Sequence, residues 1–168
     1  MDFFAKDCTE ITEYMYVSGK NVAANRQILR DKQITHVVNC AGDLCPNYFA
    51  NELTYMKLHL LDSAQEDVMC VAYHVFTFVD AVRNNGGKVL IHCQQGVSRS
   101  TILAIAYLMY TLDKDYEEVY QIVRKKRGVC RPNVGFMCQL IAWRKRVTGA
   151  SAAPCLYRIA PHCKKDRT

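Results

Sequence analysis

The sequence predicts an α/β fold in which helices flank a central, mainly parallel, twisted sheet. Short runs rich in β-branched and aromatic residues alternate with longer segments of helical period, a pattern typical of strand–helix–strand units. Half of the 168 residues are hydrophobic, so the chain can bury the core of one domain. The runs that we expect to form strands are residues 14–17, 35–39, 54–59 and 88–92.

The first long helix is predicted from an apolar stripe at spacings of three and four residues. Asp67 is placed to cap its start, and residues 84–87, two asparagines followed by two glycines, are expected to end it. This helix should cover one face of the sheet. Its stripe consists of Val68, Val71, Ala72, Val75, Val79 and Val82.

Three further helices are predicted after the last strand. Residues 99–112 are apolar nearly all round, which is typical of a helix buried on every side. Asp115 and Glu118 have the spacing of a capping box, and the helix that they begin should end in the basic residues 125–127 before Gly128. Its expected apolar face holds Val119, Ile122 and Val123. The last helix begins near Asn133, with a stripe of Phe136, Leu140, Trp143 and Val147.

The chain changes character after Thr148, where Gly, Ala, Ser and Pro become common and the helical period stops. We therefore expect one domain over residues 1–148, followed by a basic, flexible C-terminal tail over residues 149–168. The net charge of +6 favours an anionic partner. The basic residues are not interleaved with aromatic ones as in a nucleic-acid groove, so we expect an acidic or phosphorylated substrate rather than a nucleic acid.

Membrane and secretory classes find no support in the sequence. No apolar run reaches the roughly 18 residues of a membrane span, and the first ten residues lack the pattern of a secretory signal. The default is therefore a cytoplasmic protein. The sequence holds no decisive nuclear signal, so a nuclear location is left as an alternative. The nine cysteines are an odd number, and several lie in apolar segments, such as Cys70 and Cys138. We expect them to be mostly reduced and buried.

One segment, KVLIHCQQGVSRS, carries the chemistry that the sequence predicts. It places Cys93 and the five residues after it, Gln94, Gln95, Gly96, Val97 and Ser98, between a buried strand and the central helix. Free amides and the positive end of the helix make a phosphate-sized anion site there, and Gly96 lets the backbone turn closely. The same field favours a thiolate nucleophile at Cys93. Arg99 can grip two phosphate oxygens with its planar guanidinium.

The segment HCQQGVSRS resembles the signature of the protein tyrosine phosphatase superfamily, in the form found in dual-specificity phosphatases. The resemblance extends over residues 10–147, because residues 11–40 resemble the family's N-terminal strand, helix and strand, and RPNVGFMCQL resembles its closing helix. It implies a protein tyrosine phosphatase-like fold and a phosphocysteine intermediate formed on Cys93. It also implies that phosphotyrosine, phosphoserine and phosphothreonine are all substrates, and that no metal or other cofactor is needed.

The resemblance implies roles for residues outside the loop as well. A general acid is expected about five residues before the first long helix, which selects Asp62 among Asp62, Glu66 and Asp67; the alternative is that Asp62 is an ordinary loop residue. Ser100 is placed to hydrogen-bond the sulfur of Cys93, and His92 is expected to brace the loop, although a purely structural role is an equal alternative for both. Asn133 is expected to tie neighbouring loops to the phosphate loop.

Three other interpretations of the sequence are a phosphoprotein-binding pseudophosphatase, a zinc site and redox regulation of the phosphatase. A phosphoprotein-binding pseudophosphatase ranks low, because both Cys93 and Arg99 are present. A zinc site made from Cys40 and Cys45, or from Cys155, His162 and Cys163, matches no common ligand spacing. Redox regulation of Cys93 through a disulfide is expected from a thiolate that oxidises readily, but the sequence does not indicate the partner cysteine. A protein kinase as the substrate is an analogy drawn from the family.

Overall fold

The computed structural model describes residues 8–148, and its core is a five-stranded sheet in the order β1-β2-β5-β3-β4. The strands β2, β5, β3 and β4 are parallel, whereas β1 pairs with β2 in the antiparallel sense. This architecture confirms the predicted mainly parallel α/β fold. The expected tail over residues 149–168 lies outside the described residues. The strands are β1 (Thr9–Thr12), β2 (Met15–Ser18), β3 (His36–Asn39), β4 (Thr54–Lys57) and β5 (Val89–His92).

The first strand was not predicted. It forms an edge hairpin with β2 and is strengthened by a hydrogen bond from the Tyr16 hydroxyl to Glu10 Oε2 (2.9 Å). Its sequence, TEIT, holds one buried apolar residue, so it gives almost no alternating signal. The fourth strand is shorter than predicted, because the chain leaves the ladder after Lys57 and His59 forms only an isolated bridge with Ala41.

The helices start and stop where local chemistry predicts. Asp67 Oδ1 accepts the amides of Met69 (3.0 Å) and Cys70 (3.2 Å) at the start of the first long helix, and Gly86, at φ +70°, follows its end. The capping box of Asp115 and Glu118 is present. The helices are α1 (Lys20–Ala23), α2 (Arg26–Asp31), α3 (Met69–Asn84), α4 (Arg99–Leu112), α5 (Tyr116–Lys126) and α6 (Val134–Thr148).

The core has two apolar clusters, one on each face of the sheet. The larger packs α3, α4, α5 and α6 against one face, and the smaller packs α1 and α2 against Tyr16, Val37 and Leu90 on the other. Helix α4 lies in the larger cluster, and its residues from Arg99 to Met109 are all buried. Among the described residues, no helix has the length and hydropathy that a membrane span requires.

Several side chains predicted to be buried are exposed. Ile122 and Val147 lie at the margins of their stripes and are 37% and 58% exposed, and the last turn of α4 presents Tyr110 and Leu112 to solvent. The cysteines are free in the described part of the chain, as expected, but Cys70 and Cys138 are exposed rather than buried. In each case the residue lies in an apolar segment of the sequence but outside the buried face of its helix.

Candidate active site

Residues 93–98 form a tight loop between the carboxyl end of β5 and the start of α4, where sites in open parallel sheets usually lie. Gly96 has a φ of +72°, in the left-handed region that favours glycine. A Cβ atom there would lie 2.5 Å from the carbonyl carbon of Ser18 and from Nη2 of Arg127. The neighbouring strand and a buried guanidinium therefore close the loop from behind, which turns its amides towards the opposite side.

The amides of this loop are available to a ligand. Within residues 8–148, those of Gln94, Gln95, Val97, Ser98 and Arg99 donate no hydrogen bond to another protein group. The Gly96 amide donates to the sulfur of Cys93 (3.2 Å). Free N–H groups in a loop at the start of a 14-residue helix are the kind of donors that can bind an anion.

The thiol of Cys93 lies at the base of this ring and is only 1% exposed. Ser100 Oγ lies 3.3 Å from Cys93 Sγ and is fully buried, so one polar hydrogen is within reach of the sulfur. Together with the Gly96 amide, this hydroxyl can stabilise negative charge on the sulfur. The structure thus places the Ser100 hydroxyl beside the sulfur of Cys93.

Arg99 is buried at the start of α4 and is 6% exposed. Its Nη1 donates to the Leu60 carbonyl (3.1 Å), which fixes the plane of the guanidinium. Its Nε is buried and has no hydrogen-bond partner among the described residues; Oδ2 of Asp62 lies 3.8 Å away. A buried donor costs free energy while it lacks an acceptor, so this atom favours the entry of an oxyanion.

Asp62 reaches the loop from the segment that follows β4. Its Oδ1 accepts the Ser98 hydroxyl (2.6 Å) and the side-chain amide of Asn133 (2.9 Å), while Oδ2 accepts no hydrogen bond from the described residues. The other two carboxylates of this segment are engaged elsewhere, because Glu66 accepts the Leu61 amide (3.2 Å) and Asp67 caps α3. Asp62 is thus the carboxylate that the fold brings to the loop.

Asn133 connects three parts of the site. Its backbone amide donates to Ser98 Oγ (3.2 Å), its side-chain amide donates to Asp62, and its side-chain oxygen accepts the Phe136 amide (3.0 Å) at the start of α6. Asn133 thus hydrogen-bonds to the loop residue Ser98, to Asp62 and to the start of α6.

His92 lies behind the loop and is fully buried. Burial lowers the pKa of His92 to about 4, so the ring is neutral at pH 7. Its Nδ1 lies 3.2 Å from the Cys93 carbonyl, which can only accept, so Nδ1 carries the ring proton. This placement suits a brace on the loop.

The predicted residues surround one open cavity of about 440 Å³. Gly96, Ser100 and His92 are predicted site residues that do not line it. Arg131, which the sequence did not single out, contributes an exposed guanidinium to the rim and is anchored by its amide to the Val97 carbonyl (2.9 Å). The other lining residues are Asp62, Cys93, Gln94, Gln95, Val97, Ser98, Arg99, Pro132 and Asn133.

Arg127 is a site residue that the sequence did not reveal. The sequence analysis placed it among the basic residues that end the helix α5, yet it is 2% exposed. Its Nε donates to the Gly96 carbonyl (2.7 Å), and its Nη1 donates to Thr9 Oγ1 (2.8 Å) and the Val17 carbonyl (3.4 Å). No sequence pattern marks it, because its contacts lie far away along the chain.

We expect Arg127→Met to reduce both stability and turnover. The substitution keeps an apolar stem but leaves buried carbonyls without their donor, which costs about 1–3 kcal/mol for each unpaired group. Urea unfolding should show the lower free energy of unfolding, and kcat should fall because the loop loses its support from behind. Lys125→Met, which removes the same charge from an exposed position nearby, is the control and should change neither quantity appreciably. Equal effects of both substitutions would contradict this role.

The residues of the two suggested zinc sites lie in different parts of the chain. Within residues 8–148, no group of three or more His, Cys, Asp or Glu side chains is arranged to hold a metal ion. Cys40 and Cys45 are core residues. The other proposed set, Cys155, His162 and Cys163, lies outside the described residues.

Comparison with known proteins gives one consistent result. The family model described as "Dual specificity phosphatase, catalytic domain" matches residues 15–146. The Arabidopsis thaliana protein-tyrosine-phosphatase MKP1 is 40% identical over 168 aligned positions, and the match covers 98% of this chain and 21% of that protein. Human dual specificity protein phosphatase 1 is 30% identical over 94% of this chain and 40% of its own length. The chain thus spans less than half of each of these relatives.

Solved structures show the same likeness. The human tyrosine phosphatase-like serine/threonine/tyrosine-interacting protein superposes with a TM-score of 0.78 at 26% identity, covering 83% of this chain and 96% of that one. The Cydia pomonella PTP-2 phosphatase gives a TM-score of 0.73 at 32% identity, covering 81% and 89%. The loop, the sheet order and the sequence matches therefore agree, and the chain belongs to the dual specificity phosphatase catalytic domain family.

Proposed function

We propose that this protein is a metal-independent phosphatase that hydrolyses phosphate esters of protein side chains through a phosphocysteine intermediate on Cys93. The observation that carries the proposal is that a buried thiol lies beside hydrogen-bond donors that have no acceptor among the described residues. Cys93 Sγ lies under a ring of free loop amides, beside a buried guanidinium nitrogen of Arg99 that has no hydrogen-bond partner among the described residues. A tetrahedral oxyanion held there would place its central atom next to the sulfur.

In the first step, Cys93 attacks the phosphorus, so that an S–P bond forms as the P–O bond to the side chain breaks. The loop amides and Arg99 stabilise the charge on the equatorial oxygens in the transition state. The leaving oxygen needs a proton, and we assign its donation to Asp62. Oδ1 of Asp62 is held by Ser98 and Asn133, which leaves Oδ2 on the side of Arg99 to serve the leaving group.

In the second step, water attacks the phosphocysteine and the S–P bond breaks. Asp62, now ionised, takes a proton from the water, and phosphate leaves the loop. The departing thiolate is stabilised by the Ser100 hydroxyl and the Gly96 amide, each within 3.3 Å of the sulfur. His92, neutral and buried, holds the loop and takes no part in proton transfer.

The substrates that we propose are singly phosphorylated proteins bearing phosphotyrosine, phosphoserine or phosphothreonine. The lining side chains of the loop, Gln94, Gln95, Val97 and Ser98, are uncharged, so the loop itself offers no lysine or arginine before Arg99 to the additional phosphates of an inositol lipid. The broad, open cavity admits long and short side chains. A protein kinase is the proposed partner by analogy with the family, with no role for nucleic acid or a membrane.

We further propose that residues 1–148 act as the catalytic domain and residues 149–168 as a basic appendage. A nucleophilic thiol must remain reduced, and the cytoplasm and the nucleus are both reducing compartments. We therefore propose the cytoplasm, or the nucleus, as the place of action.

Hydrolysis of matched phosphopeptides tests the proposal. The fully reduced protein, with a chelator present, should release phosphate from peptides that differ only in carrying phosphotyrosine, phosphothreonine or phosphoserine. Rapid quenching followed by mass spectrometry should detect phosphate on the Cys93 peptide. Release from phosphotyrosine alone would narrow the substrate class. A folded protein that binds the peptides without releasing phosphate would overturn the proposal in favour of the pseudophosphatase.

A further inference from the structure

The rim of the active-site cavity carries an arginine whose guanidinium is unpaired. Arg131 lines the cavity and is exposed, and within residues 8–148 its side chain makes no hydrogen bond, ion pair or aromatic contact. Each of the other arginines in that range directs its guanidinium to a carboxylate, a carbonyl, a hydroxyl or an aromatic ring. The arginine left without a partner in this part of the chain is therefore the one at the mouth of the site.

The backbone that carries Arg131 is held firmly against the active-site loop. Its amide donates to the Val97 carbonyl (2.9 Å), and the amide of the buried Cys130 donates to the Arg127 carbonyl (2.9 Å). Pro132, which follows, fixes its own φ and restricts Arg131 to extended conformations. The position of Arg131 relative to the loop is thus fixed, and only its side chain remains to be ordered when a ligand binds.

The charged side chains of the cavity, apart from the nucleophile, are Asp62, Arg99 and Arg131. Arg99 is buried at the base and is assigned to the phosphate, and Asp62 is held by two hydrogen bonds from which it serves the leaving group. Arg131 has no such task, and no ion pair joins it to Asp62. The cavity therefore has an acidic part at Asp62 and a separate basic part at Arg131.

A peptide substrate must cross this rim when its phosphorylated side chain enters the loop. Consecutive residues of an extended chain are about 3.5 Å apart, so the residues one or two positions from the phosphorylated one lie over the rim. An arginine binds a carboxylate or a phosphate through two parallel N–H donors of its planar guanidinium. An anionic side chain that passes Arg131 can therefore pair with it, whereas one that passes ionised Asp62 meets a like charge.

We propose that Arg131 determines substrate specificity by binding an anionic side chain, a carboxylate or a second phosphate, close to the phosphorylated residue of the substrate. The proposal rests on the proposed function, because it takes the phosphorylated side chain to lie in the loop. It adds a sequence preference that the uncharged side chains of the loop cannot provide. The preference applies to one side of the phosphorylated residue, because Arg131 occupies one part of the rim.

The net charge of the chain is an alternative source of such a preference. A charge of +6 attracts every acidic peptide, but attraction over more than the Debye length, about 8–10 Å at physiological salt, is largely screened. Attraction to the whole chain also does not depend on where in the peptide the acidic residue lies. A preference confined to one position of the peptide therefore indicates a local ion pair.

Lys20 is the competing cation beside the loop. Its amide donates to the Gln94 carbonyl (3.0 Å), and its side chain is exposed at the start of α1. Lys20 does not line the cavity, however, and a lysine lacks the planar pair of donors that fits an oxyanion. The geometry therefore favours Arg131.

The test compares phosphotyrosine peptides that carry a single Glu or Gln at each of the two positions before and after the phosphorylated residue. For the wild type, we expect kcat/KM to be about two- to fivefold higher with Glu than with Gln at one of these positions, as an exposed ion pair allows. The ratio should shrink at high salt. Titration into Cys93→Ser, which removes no phosphate, then compares Glu with phosphoserine at that position, and the tighter ligand identifies the preferred anion.

Substitutions of Arg131 show whether its charge is responsible. Arg131→Met should abolish the difference between the Glu and Gln peptides, and Arg131→Glu should favour a Lys peptide over the Gln peptide at the same position. A merely structural role would not produce this reversal. Arg146→Met, the matched control, removes an arginine from the exposed end of α6 and should keep the wild-type ratio, as should Lys20→Met.

Equal rates on the Glu and Gln peptides in the wild type, an unchanged ratio in Arg131→Met, or a ratio lost in Lys20→Met would each overturn the proposal. Titration of the Glu and Gln peptides into Cys93→Ser measures the preference without turnover. An Arg131-dependent preference in a protein whose wild type releases no phosphate would sink only the proposed function. Phosphate release from all peptides with no such preference would sink only this inference.

Discussion

Cys93→Ser should abolish phosphatase activity while leaving the binding of phosphopeptides intact. A serine hydroxyl stays protonated at neutral pH and is a poorer leaving group in the second step, so both steps fail. Removal of the nucleophile in enzymes of covalent mechanism lowers kcat by on the order of 10⁴-fold or more. The loop amides and Arg99 are unchanged, so isothermal titration with a phosphopeptide should still give wild-type affinity within a few-fold.

The control is Cys138→Ser, because Cys138 is an exposed cysteine on α6 and does not line the cavity. This variant should keep the kcat and KM of the wild type. Wild-type turnover in Cys93→Ser would exclude Cys93 as the nucleophile. Loss of phosphopeptide binding together with turnover would show that the substitution had disturbed the loop, and circular dichroism and urea unfolding would then separate folding from chemistry.

Asp62→Asn should reduce turnover by an amount that depends on the leaving group. Asparagine can still accept hydrogen bonds from Ser98 and Asn133 through its carbonyl oxygen, which preserves the local geometry, but it has no carboxyl proton to give. General acid catalysis contributes about 10²–10⁴-fold to such steps, so kcat on phosphoserine peptides should fall within that range. Hydrolysis of p-nitrophenyl phosphate, whose leaving group needs little protonation, should fall much less.

The matched control for Asp62→Asn is Glu66→Gln, four residues further along the same segment. Glu66 accepts the Leu61 amide and does not line the cavity, so its substitution should leave the dependence on leaving group unchanged. A parallel loss on both classes of ester in Asp62→Asn would argue for a positioning role. An undiminished rate on the poor leaving group would remove Asp62 from the mechanism.

Much of the fold could be predicted because the signals lie within short segments. The apolar character of residues 99–112 gave the bounds of α4, and Asp67, Gly86 and the capping box at Asp115 marked helix ends through contacts a few residues away. The loop from Cys93 to Arg99 is likewise a local pattern. The position of Asp62 beside it came from resemblance to a family, since one carboxylate in a loop carries no spatial information by itself.

The remaining features depend on contacts between distant residues. The edge strand β1 is stabilised by pairing with β2 rather than by its own sequence. Arg127 occupies a basic run that local rules assign to solvent, and only the assembled fold shows that its guanidinium is enclosed. Ile122 and Val147 fit an apolar stripe on a helical wheel, but no neighbouring element within residues 8–148 covers them. Sequence periodicity predicts which face of a helix is apolar, but it does not predict which elements of the fold cover that face.

The hydrogen bonds of Arg127 also impose an order on folding. One side chain joins Thr9, 118 positions earlier in the chain, to Gly96, 31 positions earlier, and it also reaches the end of β2. Contacts of such separation form slowly, because the intervening chain must lose its freedom first. The loop can therefore take its final shape only after the edge hairpin, β5 and α5 have assembled. During refolding, recovery of turnover should therefore trail recovery of helical content, and its return would report the joining of these distant parts of the chain.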